Sequence, residues 1–340
     1  MSNRIFGIIG CQHGHIAGFL TEMLRLGHRC AGISETGEPA LAERLSRQHG
    51  IPLVKEARRL LEDPEVSVIG SSAVNAFKLD VIEQCEAYGK HVMLDKPIAV
   101  NRHQLERLEG VIGRGGIQIG MMLTERFRPV LYTLSRMLER GELGKVVSLT
   151  MRKPHKLTPS SRHAWHFSKE QNGGIVIDLF VHDFDLLRWL TGQEIRSVQT
   201  VVTKNGMPEY PTFYDTACAQ VVMDGGALAQ LYSDWHTPEA SWTWGDCRIF
   251  ITGTAGAAEL RLSGDPAIAK EELFFRILHD SPYERVELEA PPWSLTEDFL
   301  RRLEGKDSRL THKDVLQTCR AAVEADEKAV FLNNVHQPIG

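Results

Sequence analysis

Through the first third of the chain, short apolar runs alternate with longer stretches of helical periodicity. Residues 5–9, 30–33, 66–69, 91–94 and 117–121 are short and continuously apolar, which predicts buried strands. Residues 17–26, 40–47, 79–87 and 105–112 repeat apolar side chains at three- and four-residue spacing, which predicts helices. Strands alternating with helices imply right-handed crossovers and a doubly wound parallel sheet, whose ligands meet the carboxyl ends of the strands.

After about residue 122 the pattern changes. A helix at 130–138 ends at Gly141-Glu142-Leu143-Gly144, and 146–151 reads as a strand. A long polar loop, 153–172, leads into a helix at 174–190 that is apolar almost all round and therefore buried. Strand-like runs follow at 197–203, 216–223, 227–233, 248–252, 258–262 and 273–278. Turn signals such as Asp224-Gly225-Gly226 and Gly253-Thr254-Ala255-Gly256 join several of them, predicting a large, mainly antiparallel open sheet. Helices at 295–303 and 313–331 close the chain. The expected fold class is α/β, with a first domain at 1–122 and a second at 123–340, its last helix free to pack back on the first.

Composition narrows the partners. The 340 residues carry 39 Lys+Arg against 44 Asp+Glu, a formal net charge of −5, with 42 % hydrophobic residues. These are ordinary globular values, unlike those of disordered or collagen-like chains. With no basic block, neither nucleic acid nor an anionic membrane surface is an expected partner. No apolar stretch reaches the ~18 residues of a membrane-spanning helix. No two of the six cysteines stand at CxxC spacing, so they read as reduced thiols, and the chain shows no secretory leader. The expected location is cytoplasmic.

Three places carry candidate chemistry. The first strand runs into Gly10-Cys11-Gln12-His13-Gly14, a strand-to-helix turn of the kind that seats dinucleotide phosphates on backbone N–H groups. Gln12 stands where the second glycine of the fingerprint belongs. Glu35 follows the second strand near the ~20-residue offset of an acid that bonds ribose hydroxyls, and its charge would repel a 2′-phosphate. NAD is therefore expected over NADP. Next, Lys96 stands at the carboxyl end of the fourth strand, followed by Pro97, where desolvation would bring a lysine toward acid–base duty. Last, Asp178, His182 and Asp185 fall at i, i+4 and i+7 on the buried helix and form one polar stripe. The 153–172 loop adds His155, Lys156, Arg162, His163, Trp165 and His166, donors and an aromatic face suited to a sugar or polyol. The His163–His166 spacing is too weak a pattern for a metal, and no metal site is expected.

With these residues in hand, the chain resembles the Gfo/Idh/MocA family of nicotinamide-dependent oxidoreductases over nearly its whole length. The resemblance lies in residues 89–97, similar to G-K-H-V-x-x-E-K-P, and in Thr124-Glu125-Arg126-Phe127-Arg128-Pro129. It continues in Gly141-Glu142-Leu143-Gly144-Lys145 and in the 173–192 helix with its D-x-x-x-H-x-x-D spacing. It implies a Rossmann domain followed by an α/β domain whose open sheet forms the face of a homodimer or part of a homotetramer. It implies hydride transfer between NAD and a CH–OH group of a sugar, inositol or related polyol. On this reading Lys96, Asp178 and His182 are catalytic, and Gly10, Gln12, His13, Gly14, Glu35, Ser72, Asn75, Asp95 and Lys96 hold the cofactor. Arg126, His155, Arg162, Trp165, His182 and Asp185 are expected at the substrate. Two other readings are an NAD-dependent glycosidase working through transient oxidation and a non-catalytic cofactor-binding regulator. The chain departs from the family pattern at Gln12, at Asp95 in place of the usual glutamate, and in the 71–75 turn, which lacks the usual histidine further along.

Overall fold

The structure is a computed structural model that describes residues 3–267 and 269–333. In chain order the elements are β1 (Ile5–Cys11), α1 (His15–Arg25), β2 (Arg29–Ser34), α2 (Ala40–His49), α3 (Arg58–Glu62), β3 (Val66–Ser72), α4 (Lys78–Ala87), β4 (His91–Leu94), α5 (Arg102–Arg114) and β5 (Ile119–Met121). There follow α6 (Pro129–Glu139), β6 (Val146–Arg152), α7 (Lys169–Asn172), α8 (Ile175–Thr191), β7 (Ile195–Lys204), β8 (Thr216–Met223), β9 (Leu228–Asp234), β10 (Arg248–Gly253), β11 (Gly256–Arg261), β12 (Leu273–Leu278) and β13 (Ser281–Arg285). The chain closes with α9 (Leu295–Leu303), α10 (His312–Glu327) and β14 (Val330–Asn333).

Two compact units result. The first comprises residues up to Leu123, Glu170–Gly173 and Trp293–Val323. Its five strands pair in parallel in the order β2-β1-β3-β4-β5, so the strand order reverses between β1 and β3. That switch point is where doubly wound sheets open a ligand crevice. Phe6, Ile8, Phe19, Leu20, Met23 and Met93 fill the core beside β1.

Residues 293–323 group with this unit, whereas the sequence boundaries put them in the second domain and left only the last helix free to pack back on the first. Phe299 and Leu300 of α9 are 3 % and 0 % exposed within the same core, so the helix supplies apolar area that the sheet face requires. Ser294 caps α9 in a reciprocal box with Glu297, which fixes where it starts. A second correction concerns the 313–331 helix. It ends at Glu327, and the β-branched and aromatic run Val330–Asn333 becomes a strand parallel to β7.

The second unit, residues 124–169, 174–292 and from Glu324 on, contains a nine-stranded sheet in the order β13-β12-β11-β10-β6-β9-β8-β7-β14. Every pairing is antiparallel except β6 with β9 and β7 with β14. Helix α8 covers one face through β6 to β9, and Val176, Phe180, Val181 and Phe184 are completely buried. The other face stays open and presents Val201, Leu228 and Phe250 among Gln199, Gln220, Gln230 and Tyr232. Among the described residues no helix is long and apolar enough to cross a membrane.

Candidate active site

In the first unit the turn after β1 is built around Gly10. Its φ is +81°, and a Cβ there would lie 2.7 Å from the Ala73 Cβ, so only glycine fits. The Gln12 N–H donates to the Ser72 carbonyl at 2.9 Å across the β1–β3 switch point. Ser72 also clamps His13: its hydroxyl donates to the His13 carbonyl at 3.0 Å and accepts from the His13 N–H at 3.3 Å. The Gln12 side chain, in the second-glycine place, is 7 % exposed and donates to the Glu38 carbonyl at 3.2 Å. Gly14 has nothing within 4 Å of where a Cβ would stand, so this side of the turn is open.

Glu35 sits directly over that turn, one oxygen accepting from the Cys11 N–H and the other from the Gly37 N–H. It borders a cavity of about 530 Å³ shared by Gly10, Ala57, Val74, Phe77 and Val81. Phe77 is 52 % exposed at its edge. A glycine cradle, a carboxylate for ribose hydroxyls and an apolar wall for a base fit an adenine dinucleotide. Asn75, expected at the cofactor, is 3 % exposed, and its side chain donates to the Asn172 carbonyl at 2.9 Å, which ties residues 170–173 to this unit.

Lys96 is 8 % exposed beyond the end of β4, and the Lys96–Pro97 bond is cis. The main chain of this segment is held by a lysine that the sequence reading did not single out. Lys78 of α4, with no exposed surface, donates through Nζ to the carbonyls of Asp95 at 2.8 Å, Lys96 at 3.1 Å and Pro97 at 3.0 Å. The Asp95 side chain meets His13 and His15, each at 2.7 Å.

In the second unit α8 begins after Gly174 and stops at the left-handed Gly192, and it carries Asp178 and His182 one turn apart. Asp178 is 6 % exposed. The third member of the expected stripe lies elsewhere. Asp185 accepts two hydrogen bonds from Arg126, Nε to Oδ2 at 2.8 Å and the second guanidinium nitrogen to Oδ1 at 2.6 Å. Arg126 is 2 % and Asp185 1 % exposed. These two, expected at the substrate, are a buried pair that fixes α8 against the 124–127 turn.

Beside His182 lies a charge cluster that the sequence reading missed. Lys153 donates to Glu125 and to Asp183, both at 2.7 Å, and all three are nearly sealed from solvent. Burial pushes the Glu125 carboxyl up, but Lys153 and then His182 and Arg128 outweigh it and bring it down to about 2. Burial raises Asp183 to about 6 against the pull of Lys153. Burial also lowers Lys153, yet the two carboxylates prevail and its proton is held more tightly than usual. Glu125 is thereby held ionised, close enough to His182 for the two to interact electrostatically.

The loop after β6 brings His155 and Arg162 onto one aromatic wall. The His155 ring meets Trp235 at 5.5 Å and Trp244 at 6.4 Å, and the Arg162 guanidinium lies over the same rings at 4.8 and 5.8 Å. Arg162 donates to the Leu157 carbonyl at 2.6 Å. Burial pushes its guanidinium down from the usual 12.5, with Asp178 pulling the other way. Trp165 packs edge-on against His166, and its buried indole Nε1 has no acceptor among the described residues. Trp235 and Trp244 had no signal in the sequence, because single tryptophans outside a helix or motif show no periodicity. Lys78 and Lys153 stand in no motif or spacing that would single them out there.

Comparison with known proteins agrees with this geometry. Residues 5–118 match the oxidoreductase family described as an NAD-binding Rossmann fold, and residues 131–259 match the GFO/IDH/MocA C-terminal domain. The oxidoreductase YrbE of Bacillus subtilis is 24 % identical over 82 % of this chain and 80 % of its own. The NAD(+)-dependent scyllo-inositol 2-dehydrogenase of Bacillus subtilis is 26 % identical over 64 % of this chain and 61 % of its own length. Among solved structures, an oxidoreductase of Erwinia carotovora atroseptica superimposes with a TM-score of 0.88 at 22 % identity, over 97 % of this chain and 99 % of that one. Its likeness is one of fold. The glycine cradle, the Glu35 position and the matched segments in both units lead to one statement: this chain belongs to the GFO/IDH/MocA family of oxidoreductases, with an NAD-binding Rossmann domain.

Proposed function

We propose that the protein is an NAD-dependent dehydrogenase that transfers hydride between NAD(H) and a CH–OH carbon of a sugar, inositol or related polyol. Bound NAD supplies the hydride acceptor at its nicotinamide ring. Glu35 receives the ribose hydroxyls, the turn from Gly10 to Gly14 receives the phosphates, and the Phe77 edge receives the base. His182 takes the proton of the substrate hydroxyl, Asp178 orients His182, and the Lys96 ammonium donates to the oxygen as negative charge develops on it. His155, Arg162 and Trp165 offer donors and ring faces to the remaining hydroxyls. The observation that carries this reading is Asp178 and His182, one turn apart on a largely buried helix whose other buried acids, Asp183 and Asp185, are paired with Lys153 and Arg126. The activity named for the scyllo-inositol relative supports the same substrate class.

The open face of the nine-stranded sheet, with Leu228 56 % and Phe250 42 % exposed, supports a homodimer or homotetramer built on that face. All six cysteines are free thiols, which supports a reducing compartment such as the cytoplasm.

The test is a fluorescence titration with NADH and with NADPH, followed by NADH production from inositols, aldoses and their reduced relatives and NADH consumption by their oxidised relatives. Tight NADH binding and turnover of at least one polyol or sugar is the expected result. Binding of neither nucleotide would overturn the cofactor site. Release of free sugar from a glycoside without net NADH would replace the dehydrogenase with a glycosidase.

A further inference from the structure

The mechanism uses the main chain of the turn after β1 and leaves its two histidines unexplained. His13 precedes Gly14 and His15 opens α1, so their side chains stand two residues apart beside the end of β4. Asp95 follows β4 and is anchored by its own N–H, which donates to the Ser71 carbonyl at 2.8 Å. Its carboxylate, 2 % exposed, points at both imidazoles. Nδ1 of His15 is 2.7 Å from Oδ1, and Nδ1 of His13 is 2.7 Å from Oδ2. The three donor atoms lie within 4.8 Å of one another, and the rings meet edge to face at 4.3 Å.

Two imidazole N–H groups donated to one carboxylate would be the plain explanation. It holds for His15, whose contact is a hydrogen bond. His13 Nδ1 pairs with the other oxygen of the same carboxylate at 2.7 Å, so two imidazole nitrogens and one carboxylate converge on a single point. That convergence is also the arrangement of ligands around a shared ion.

We infer that His13, His15 and Asp95 form a binding site for one divalent transition cation of the zinc type, with the fourth coordination position open to solvent. Two imidazoles and a carboxylate are the donor set of zinc sites that keep an open position. The imidazoles disfavour magnesium and calcium, which take oxygen ligands. Side-chain exposures of 31 % for His13 and 44 % for His15 leave a path for the ion and room for a water ligand, while the buried Asp95 supplies the fixed anion. The expectation of no metal site rested only on the 153–172 loop. Because His13 stands in the turn proposed to receive the dinucleotide phosphates, the ion is titrated without nucleotide, so that its binding is read apart from the hydride-transfer reading.

The experiment is a titration of chelator-stripped, tag-free full chain with Co²⁺, read by its visible ligand-field bands and by metal analysis after desalting. One equivalent per chain, displaced by Zn²⁺ and unaffected by excess Mg²⁺, is the expected result. His15 is partly exposed, so His15→Ala removes a ligand with little loss of packing. It should weaken cobalt binding by at least the roughly 10- to 100-fold seen when a mere outer-shell partner is lost, and the His13→Ala, His15→Ala double variant should bind none. Failure of the wild-type chain to retain a stoichiometric ion overturns the site. Retention by a double variant whose circular dichroism and thermal midpoint are unchanged overturns it equally.

Discussion

Lys78 donates to the main-chain carbonyl of Lys96, 3.1 Å away, and to the carbonyls on either side of it. One lysine thereby positions another through the backbone, leaving the Lys96 side chain free of that task. Replacing Lys78 by Met keeps the aliphatic stem and removes the donor from buried carbonyls, at a cost of about 2–4 kcal/mol in urea unfolding. Because Lys78 acts on the strand end and not on the dinucleotide turn, kcat should fall at least tenfold with NADH affinity little changed. Equal losses in both would place Lys78 in general packing instead.

His182→Ala should lower kcat by about 10²–10⁴-fold, the ordinary worth of a general acid–base group, with NADH binding intact. A change smaller than threefold in steady-state turnover would remove His182 from the chemistry.

Glu35 lies over the Cys11 amide, where a 2′-phosphate would meet its charge. Glu35→Ala should weaken NADH and relieve the exclusion of NADPH, so the ratio of the two dissociation constants moves toward one. An unchanged ratio would show that the carboxylate does not touch the ribose.

Lys153 holds two buried carboxylates, Glu125 and Asp183, together. Lys153→Met leaves them facing each other without a cation and should destabilise the chain by about 3–5 kcal/mol. The double change Lys153→Met, Glu125→Gln should recover part of that loss, which chemical denaturation of the two variants would show directly.

His312 accepts the Ile119 N–H through Nε2 at 2.9 Å, and burial, then the nearby Arg302 guanidinium, push it down to about 4 from 6.5. Between those values the unfolded chain binds a proton that the folded chain refuses. Stability therefore falls as pH drops from 6.5 to 4, by less than the full linkage value because solvent reaches the partly exposed ring. His312→Gln keeps an acceptor for Ile119 and should flatten that slope in a thermal-midpoint series across this range.

The sequence by itself determined the parallel sheet, because the runs at the first strands are short, apolar and separated by helical spacing, and the observed β4 matches the expected 91–94. It also offered Gly10, Glu35, Lys96, Asp178 and His182 as candidates, each readable from a local pattern: a turn at the end of a strand, an offset, a strand end, a helix stripe. What only the tertiary structure decided depends on partners far apart along the chain. Arg126 and Asp185 could pass for substrate contacts until their guanidinium and carboxylate were seen to bond. The partners of Lys78, Lys153 and His15 lie 17 to 80 positions away, so no local pattern announces them. The 295–303 helix carried its correct pattern but not its address, since an amphipathic face specifies that it must be buried and not on which sheet. Local spacing encodes the elements and their polar stripes; ion pairing, burial and domain membership are fixed only when distant segments meet.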